Sequence, residues 1–478
     1  MVEKQKLKWI YLFSALFITL NTFFIAREIY WFTILPAAVF IILLSLIALD
    51  KLILLIVFLT PLSYNLQDSD FGVGLSIPTE PLLFGVMILF TMRLFFEGKF
   101  DSRVSRHPVS IAIILYLIWM VITTITSSIP IISLKFVIAK FWFLISYYFI
   151  ATQIFKNYKN VKRYLWVYMI SFTIVIFYTI YNHSLDGFAE QPAHVAMVPF
   201  YNDHTSYGAI LAMFIPVLIA FCFNSNFTRT IKLAAWILLL IFILATVLSY
   251  TRAAWVSLLA IFGLYFIYVF RIKLWIFFSG IAVVLLFFFM YQEQIFMKLE
   301  KNKQTSSADL AEHVQSISNI SNDASNLERI NRWQSALRMF GERPLFGWGP
   351  GTYQFKYAPY QFSYEKTTIS TNAGDKGNAH SEYIGPLAEQ GVPGMLSIVA
   401  VMFCSLYTGS KLFHRVKKGE TKTLVLAILL GLITYFIHGT LNNFLDTDKA
   451  SAAVWGFMAM LVAIDVYHYE KSENTATE

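Results

Sequence analysis

Long apolar runs alternate with short polar connections along this chain, and one connection breaks the rhythm. Apolar segments fall near 8–25, 29–48, 52–64, 81–97, 109–128, 131–153, 163–182, 205–223, 232–249, 253–270, 273–291, 392–412, 423–441 and 451–468. Most reach the roughly 20 residues that carry a helix across a hydrocarbon core, and the third is short. In lipid each backbone polar group must find its partner within the segment, which makes these runs helices. The chain therefore reads as an all-α polytopic membrane protein of about 12–14 transmembrane helices. The interruption runs from about Tyr291 to Gly391 and is polar, aromatic and glycine-rich. A connection this long carries function or is disordered, and its arginine, aromatic and histidine clusters favour function.

Four parts follow. A bundle of about eleven spans covers residues 1–291, a large and mainly helical loop covers 292–391, about three more spans cover 392–468, and a polar tail covers 469–478. Of the 478 residues 57% are hydrophobic and 14% charged, and the mean hydropathy is +0.60. Soluble domains carry nearer a quarter charged residues, so most of the chain belongs in the bilayer. Basic residues cluster at Lys4/Lys6/Lys8, Arg103/Arg106, Lys156/Lys159/Lys162/Arg163, Arg229/Lys232, Arg271/Lys273 and Lys411/Arg415/Lys417/Lys418. Fourteen spans with both termini cytoplasmic put all these clusters inside and the long loop outside. The net charge of +8 is then anchoring to anionic lipid rather than nucleic-acid binding. Cys222 and Cys404 both fall within spans and read as buried free thiols.

Charges beside apolar helix single out the candidate chemistry. Arg252 sits at a tight turn, Leu248-Ser-Tyr-Thr-Arg-Ala-Ala-Trp255, at the N-terminus of a span. Free N–H groups and the helix dipole there favour an anion, and a guanidinium adds to that. A snorkelling arginine holding lipid headgroups is the plainer reading. Lys135 and Lys140 lie within one span, Lys140 roughly 15 Å below its outer end by helical rise. Either could contact a lipid-linked anion from a polar cavity, or pair with a carboxylate or backbone carbonyl.

In the loop, Ser325-Asn-Leu-Glu328 has capping-box spacing and opens a helix that should end near Gly341, before Pro344. Ile330, Trp333, Ala336, Leu337 and Phe340 form its apolar stripe, with Arg329 and Arg332 flanking it as site candidates or as a solvated face. Pro344-Leu-Phe-Gly-Trp-Gly-Pro-Gly351 lacks the lysine and strand–helix setting of a P-loop, so it reads as a structural turn. His380 stands at a loop-to-helix junction, where it could act as general base or hydrogen-bond donor, with Glu382 orienting it or acting as base. Structural roles are the alternative for both. Asn202-Asp-His-Thr-Ser-Tyr207 opens the eighth span, and His204 either lines the same cavity or sits in a helix cap. The absence of His-x-x-x-His and Cys-x-x-Cys spacing argues against a metal site.

Taken in order, these motifs resemble the O-antigen ligase and O-antigen polymerase superfamily. The family's Ser/Thr-Arg-Gly/Ala turn reads here Thr251-Arg252-Ala253. Its loop motifs read Arg329-Ile-Asn-Arg-Trp333-Gln-Ser-Ala-Leu337, Pro344-Leu-Phe-Gly-Trp-Gly349, His380-Ser-Glu-Tyr383 and Glu389-Gln-Gly-Val-Pro-Gly394. Serine at 381 replaces the usual asparagine. The resemblance covers about residues 200–400 and implies a metal-independent, inverting glycosyltransferase of the bacterial inner membrane, with its loop in the periplasm and no cofactor. The implied donor is a glycan on undecaprenyl pyrophosphate, and the acceptor is a lipid A core sugar, another glycan or a protein. Arg252, Arg329 and His380 map onto the family's functional positions, joined by Glu382 as a catalytic candidate. Lys140, Lys135, Arg332, His204 and Tyr383 are candidate substrate contacts. A ligase is favoured over a polymerase or a protein O-oligosaccharyltransferase. A polysaccharide flippase or transporter is the non-enzymatic alternative, disfavoured by the lack of internal repeats.

Overall fold

A computed structural model describes residues 2–66, 75–98, 100–270, 324–365, 377–417 and 419–469, together with Ser279 and Met290. The span expected at 273–291 and the polar runs 292–323 and 366–376 lie outside the described residues. Among those described, ten helices are long and apolar enough to cross a membrane.

The chain divides into two compact units, Met1–Ile56 and Val57–Glu478. In the first, α1 (Val2–Ile25) leads through a tight turn at Tyr30–Ile34 into α2 (Leu35–Ile47). The ring of Phe32 stacks on Phe17 at 5.4 Å and meets Phe24 at 4.9 Å, holding the turn to α1. The apolar stretches here, Tyr11–Ile25 and Phe32–Ser45, are shorter than a full span. The third expected span is the 11-residue helix α3 (Leu49–Leu59).

In the second unit, strands β1 (Tyr64–Leu66) and β2 (Leu75–Ile77) form an antiparallel pair with Asn65 opposite Ser76. The sequence reading, all-α, had no place for this hairpin. There follow α4 (Thr79–Glu97), α5 (Pro108–Ile125), α6 (Pro130–Ile154), α7 (Tyr158–Leu185), α8 (His204–Cys222), α9 (Arg229–Leu248) and α10 (Arg252–Phe270). The loop helix α11 (Ala324–Glu342) precedes α12 (Ile384–Arg415), α13 (Glu420–His438) and α14 (Asp448–His468). Asp203, Asn157, Thr228 and Thr447 cap helix starts through their side chains. Every residue of α8 from Thr205 to Cys222 except Ile219 is buried, so α8, apolar all round, forms the centre of the unit.

The loop is fixed to the bundle through backbone. The Trp348 and Gly349 N–H groups donate to the Ala388 and Glu389 carbonyls (3.1 and 2.7 Å), and the Val392 N–H donates to the Pro344 carbonyl (2.9 Å). Glu389 accepts from the Gly351 and Tyr353 N–H groups, 2.9 Å each. Gly347 (φ 66) and Gly391 (φ 68) meet in this contact. A Cβ on Gly347 would lie 2.3 Å from the Glu389 carbonyl carbon, and one on Gly391 would lie 2.2 Å from the Leu345 oxygen. The structural-turn reading of 344–351 therefore holds, and Gly391 also breaks α12, which restarts beyond it. The turn sits on the α5–α6 connection and the start of α6, where Ser128 Oγ donates to the Trp348 carbonyl (2.8 Å) and Ser133 Oγ to that of Pro350 (2.9 Å). From α5 itself, Trp119 Nε1 donates to the Gln390 carbonyl (2.8 Å).

The buried face of α11 differs from the expected stripe. Asn331, Arg332, Ser335, Ala336 and Met339 are buried, whereas Leu337 is exposed. Polar groups can occupy the interior because each side chain has a partner: Arg332 Nε donates to Glu328 (2.7 Å), Asn331 to the Glu365 carbonyl and Ser335 to the Asn331 carbonyl (2.9 Å), while Arg332 Nη1 is left over among the described residues.

A buried ion pair sits at the start of α14. Lys449 Nζ lies 3.0 Å from Asp448 Oδ1 and donates to Ser63 Oγ (2.7 Å) and Asn65 Oδ1 (3.1 Å). Removing one member of such a pair strands the other charge. Lys449→Met should destabilise the protein by about 3–5 kcal/mol, and the Asp448→Asn/Lys449→Met double variant by less, measured by thermal unfolding in detergent. Gly391→Ala should cost at least about 2 kcal/mol through its positive φ and the clash and should expose the loop to protease. Gly85→Ala, whose Cβ meets nothing within 4 Å, is the control.

Candidate functional site

One end of the second unit gathers four chain segments: the start of α8, the start of α10, the loop residues of α11 with 377–383, and the end of α13. The seat for Arg252 is built by its neighbour. Thr251 Oγ1 donates to the His204 carbonyl (2.8 Å), and a Cβ on Gly208 would lie 2.5 Å from that Oγ1, so the α9–α10 turn rests directly on the first turn of α8. Arg252 then opens α10, half-buried, with Nη2 3.7 Å from Glu190 Oε1. The His204 ring stacks on His194 at 4.1 Å. Asp203, one residue earlier, caps α8 by accepting from the Ser206 N–H and the Thr205 hydroxyl, 2.7 Å each.

His380 adopts φ 48, a left-handed conformation that costs a side-chain-bearing residue about 1–2 kcal/mol. Its neighbours hold it there. Asn378 Oδ1 accepts from the His380 N–H (3.0 Å), Trp333 Nε1 donates to the His380 carbonyl (3.3 Å), and the Glu382 N–H donates to the Gly439 carbonyl (2.8 Å). Ser381 accepts from the Tyr383 and Ile384 N–H groups, 3.3 Å each.

Arg329 is the common electrostatic neighbour. Its charge acts on the rings of His204, His380 and His438. Arg252 also acts on His204, Arg332 acts on His380, and Asp203 acts on all three rings. Burial first, then Arg329 and Arg332, push the His380 imidazole from 6.5 down to about 4. The ring is therefore neutral near pH 7 and can accept a proton or donate one N–H. Arg332 is itself buried, with its guanidinium 4.0 Å above the Tyr357 ring and paired with Glu328. Three arginines and three histidines thus converge where one helix N-terminus opens, an arrangement suited to an oxyanion.

Other sequence candidates are engaged elsewhere. Glu382 does not orient His380: its Oε1 accepts from Tyr435 OH (2.7 Å) and from the Phe444 and Leu445 N–H groups (2.8 Å each). Burial and Asp446 raise its carboxyl while Lys140 opposes them. Tyr383 donates to the Phe436 carbonyl (2.9 Å), which turns its hydroxyl to the α12–α13 contact rather than to a substrate. Lys140, buried in α6, donates to the Leu445 carbonyl (2.9 Å) and pairs with Asp446 at 2.5 Å. Both partners weighed against an anion role for Lys140 are realised together. Lys135 is half-buried on a different face of α6.

His438 was missed because it ends an apolar span, where one polar residue hardly alters the hydropathy. The polar run that follows it, Thr440-Leu-Asn-Asn443, was the available signal. A cavity of about 170 Å³ lies instead between Phe221–Ser225 and Gly419–Leu424. By helical rise that is about 27 Å along α8 from His204, too far to belong to this cluster. Among the described residues no group of three or more His, Cys, Asp or Glu could hold a metal ion.

Residues 236–399 match the family model described as O-antigen ligase. That stretch contains Arg252, Arg329, Arg332, His380, Glu382 and Tyr383, and excludes Lys135, Lys140, His204 and His438. A protein of Haemophilus influenzae strain Rd, described only as uncharacterized, is 22% identical over 235 residues, 48% of this chain. The chain spans 56% of the length of that relative. The family match supports glycosyltransferase activity of the O-antigen ligase or polymerase kind. The chain is a multi-pass membrane protein, and the match over residues 236–399 supports its placement in the O-antigen ligase superfamily.

Proposed function

We propose that this protein transfers a glycan from undecaprenyl pyrophosphate to an acceptor hydroxyl at the periplasmic face of the inner membrane. The observation that carries the reading is the shared arginine: Arg329 acts on three histidines, with Arg252 and Arg332 beside it. The donor is an anion attached to a lipid, and the cluster lies where membrane helices α8 and α10 begin.

The chemistry follows from charge. The acceptor oxygen forms a bond to the anomeric carbon from the face opposite the pyrophosphate, which inverts that centre. The bond from carbon to phosphate oxygen breaks, and its electron pair leaves with the pyrophosphate. Arg252 and Arg329 stabilise that developing charge, each worth about 10²–10³-fold if it behaves as one preorganised donor. The acceptor proton passes to the neutral ring of His380, a contribution of about 10²–10⁴-fold. The same arginines that make His380 a weak base are offset when the pyrophosphate arrives, so donor binding itself raises the basicity of the ring. A lipid A core sugar is the favoured acceptor, on the likeness of the loop motifs to the ligase branch.

The test is glycan transfer in proteoliposomes supplied with an undecaprenyl-pyrophosphate glycan and candidate acceptors, with EDTA present. Wild type should glycosylate a core acceptor, while Arg252→Ala and His380→Ala should each lose at least about 100-fold. Glycan movement across the bilayer with no new glycosidic bond would refute the proposal, and a lengthened lipid-linked glycan would make the chain a polymerase. The pH profile is a second check. Free-enzyme kcat/KM should have no His380-dependent acid limb above about pH 5, whereas kcat should begin to fall at higher pH, because the bound anion raises the ring's pKa. For stability the sign is that of a depressed group. His380 adds no penalty above pH 6.5 and an increasing one as pH falls toward 4. The melting temperature of His380→Gln should therefore fall less over that window than that of wild type.

A further inference from the structure

His438 lies outside the family-matched segment and outside every motif read from the sequence. It is the last residue of α13 and is 1% exposed. The Asn442 amide nitrogen lies 3.1 Å from its Nε2. With the amide donating there, the neutral ring carries its proton on Nδ1. Among the described residues that buried Nδ1 has no hydrogen-bond partner. A donor buried without an acceptor is costly, and native interiors seldom tolerate one without a use.

Its surroundings identify the missing acceptor. Arg329, Asp203 and His204 act on the ring, and Phe444 lies against it at 5.8 Å between centroids. The Gly439 carbonyl, one residue on, holds the Glu382 N–H, and so fixes the end of α13 beside the His380 segment. Among the described residues two more buried polar atoms in this cluster lack partners, Nδ1 of His204 and Nη1 of Arg332. Two carboxylates stand beside them: Asp203 spends two acceptor positions on capping α8, and Glu328 accepts from Arg332 Nε. Grouped around arginine, the Nδ1–H of His438 and the Nη1 of Arg332 are donors suited to an anion with several oxygens.

We propose that His438 is a further substrate-binding residue, whose Nδ1–H donates to a phosphate oxygen of the lipid-linked pyrophosphate. This rests on the glycosyltransferase reading above and extends the site beyond the family-matched segment onto the α13–α14 connection. Asn442 is then a positioning residue, because it fixes the proton on the nitrogen that faces the anion. A purely structural histidine would close the end of α13 and leave donor affinity unchanged.

The discriminating measurement is calorimetric binding of undecaprenyl pyrophosphate, without glycan, to the full chain in detergent. His438→Met and His438→Gln are compared with wild type and with Arg252→Ala, and phosphatidylglycerol is titrated in a parallel arm. His438→Met should weaken pyrophosphate binding by roughly 10- to 100-fold, the range of one hydrogen bond to a charged group. His438→Gln, which keeps an amide donor, should stay within about threefold of wild type. Phosphatidylglycerol should bind weakly and indifferently to the substitutions. Unchanged affinity in His438→Met, or an equal loss in His438→Gln, would overturn the inference while Arg252→Ala still reports on the site. Equal, His438-dependent binding of phosphatidylglycerol would overturn it in favour of a headgroup seat. No pyrophosphate binding by wild type would remove the glycosyltransferase reading and this inference together.

Discussion

The rest of the site depends on a contact that contains almost no side chain. The turn at 344–351 and the segment 388–392 lie backbone against backbone, joined by three main-chain hydrogen bonds and clamped by Glu389. Gly347 and Gly391 leave no space for a Cβ there. Because Trp119, Ser128 and Ser133 bond into the same contact from α5, the α5–α6 connection and α6, the loop is registered on helices that the bilayer holds in place. A loop docked through side chains could shift by a rotamer. One docked through main chain has very little freedom, and a catalytic constellation drawn from separate segments needs that precision.

Upon that frame the site gathers three arginines, Arg252, Arg329 and Arg332, around its histidine rings. Deeper in the unit, charges are matched: Lys140 with Asp446, Lys449 with Asp448. Near Arg329, with Arg252 and Arg332 close by, the carboxylates among the described residues are Asp203, Glu190 and Glu328. Desolvating several cations without full compensation is unfavourable for folding. The proposed pyrophosphate would supply part of that compensation, and burial together with the nearby arginines holds the His380 ring neutral near pH 7.

Much of this was legible in the sequence, for identifiable reasons. Spans such as 205–223 and 253–270 reappear as His204–Cys222 and Arg252–Phe270, because lipid admits few alternatives to helix and hydropathy records that directly. Arg252 stood out at a helix start and His380 at a loop-to-helix junction, while Arg329 lay beside the apolar stripe of the loop helix and was joined to them by the family resemblance. What failed was inference about direction. Glu382 and Tyr383 lie within three residues of His380, yet their side chains turn to Phe444, Leu445 and Phe436. The stripe on α11 misplaced Leu337 because Arg332, with Glu328 and Tyr357 beneath it, occupies the interior that apolarity was expected to claim. The Asp448–Lys449 pair depends on Ser63 and Asn65, nearly four hundred positions away, and no local pattern announces a contact of that range.

The clasp between Glu382 and the 439–447 turn bears on how such proteins diverge. A carboxylate inside the family-matched stretch is satisfied by backbone N–H groups beyond its C-terminal boundary, and Lys140 reaches the same turn from a helix far ahead of its N-terminal one. Residues 236–399 are thus a unit of ancestry but not of folding. Recombination that exchanged only this stretch between distant relatives would leave a stranded acid and a stranded lysine on either side of the join. Loop and bundle are thus tied by the 439–447 turn, and substitutions on either side of it act on the other.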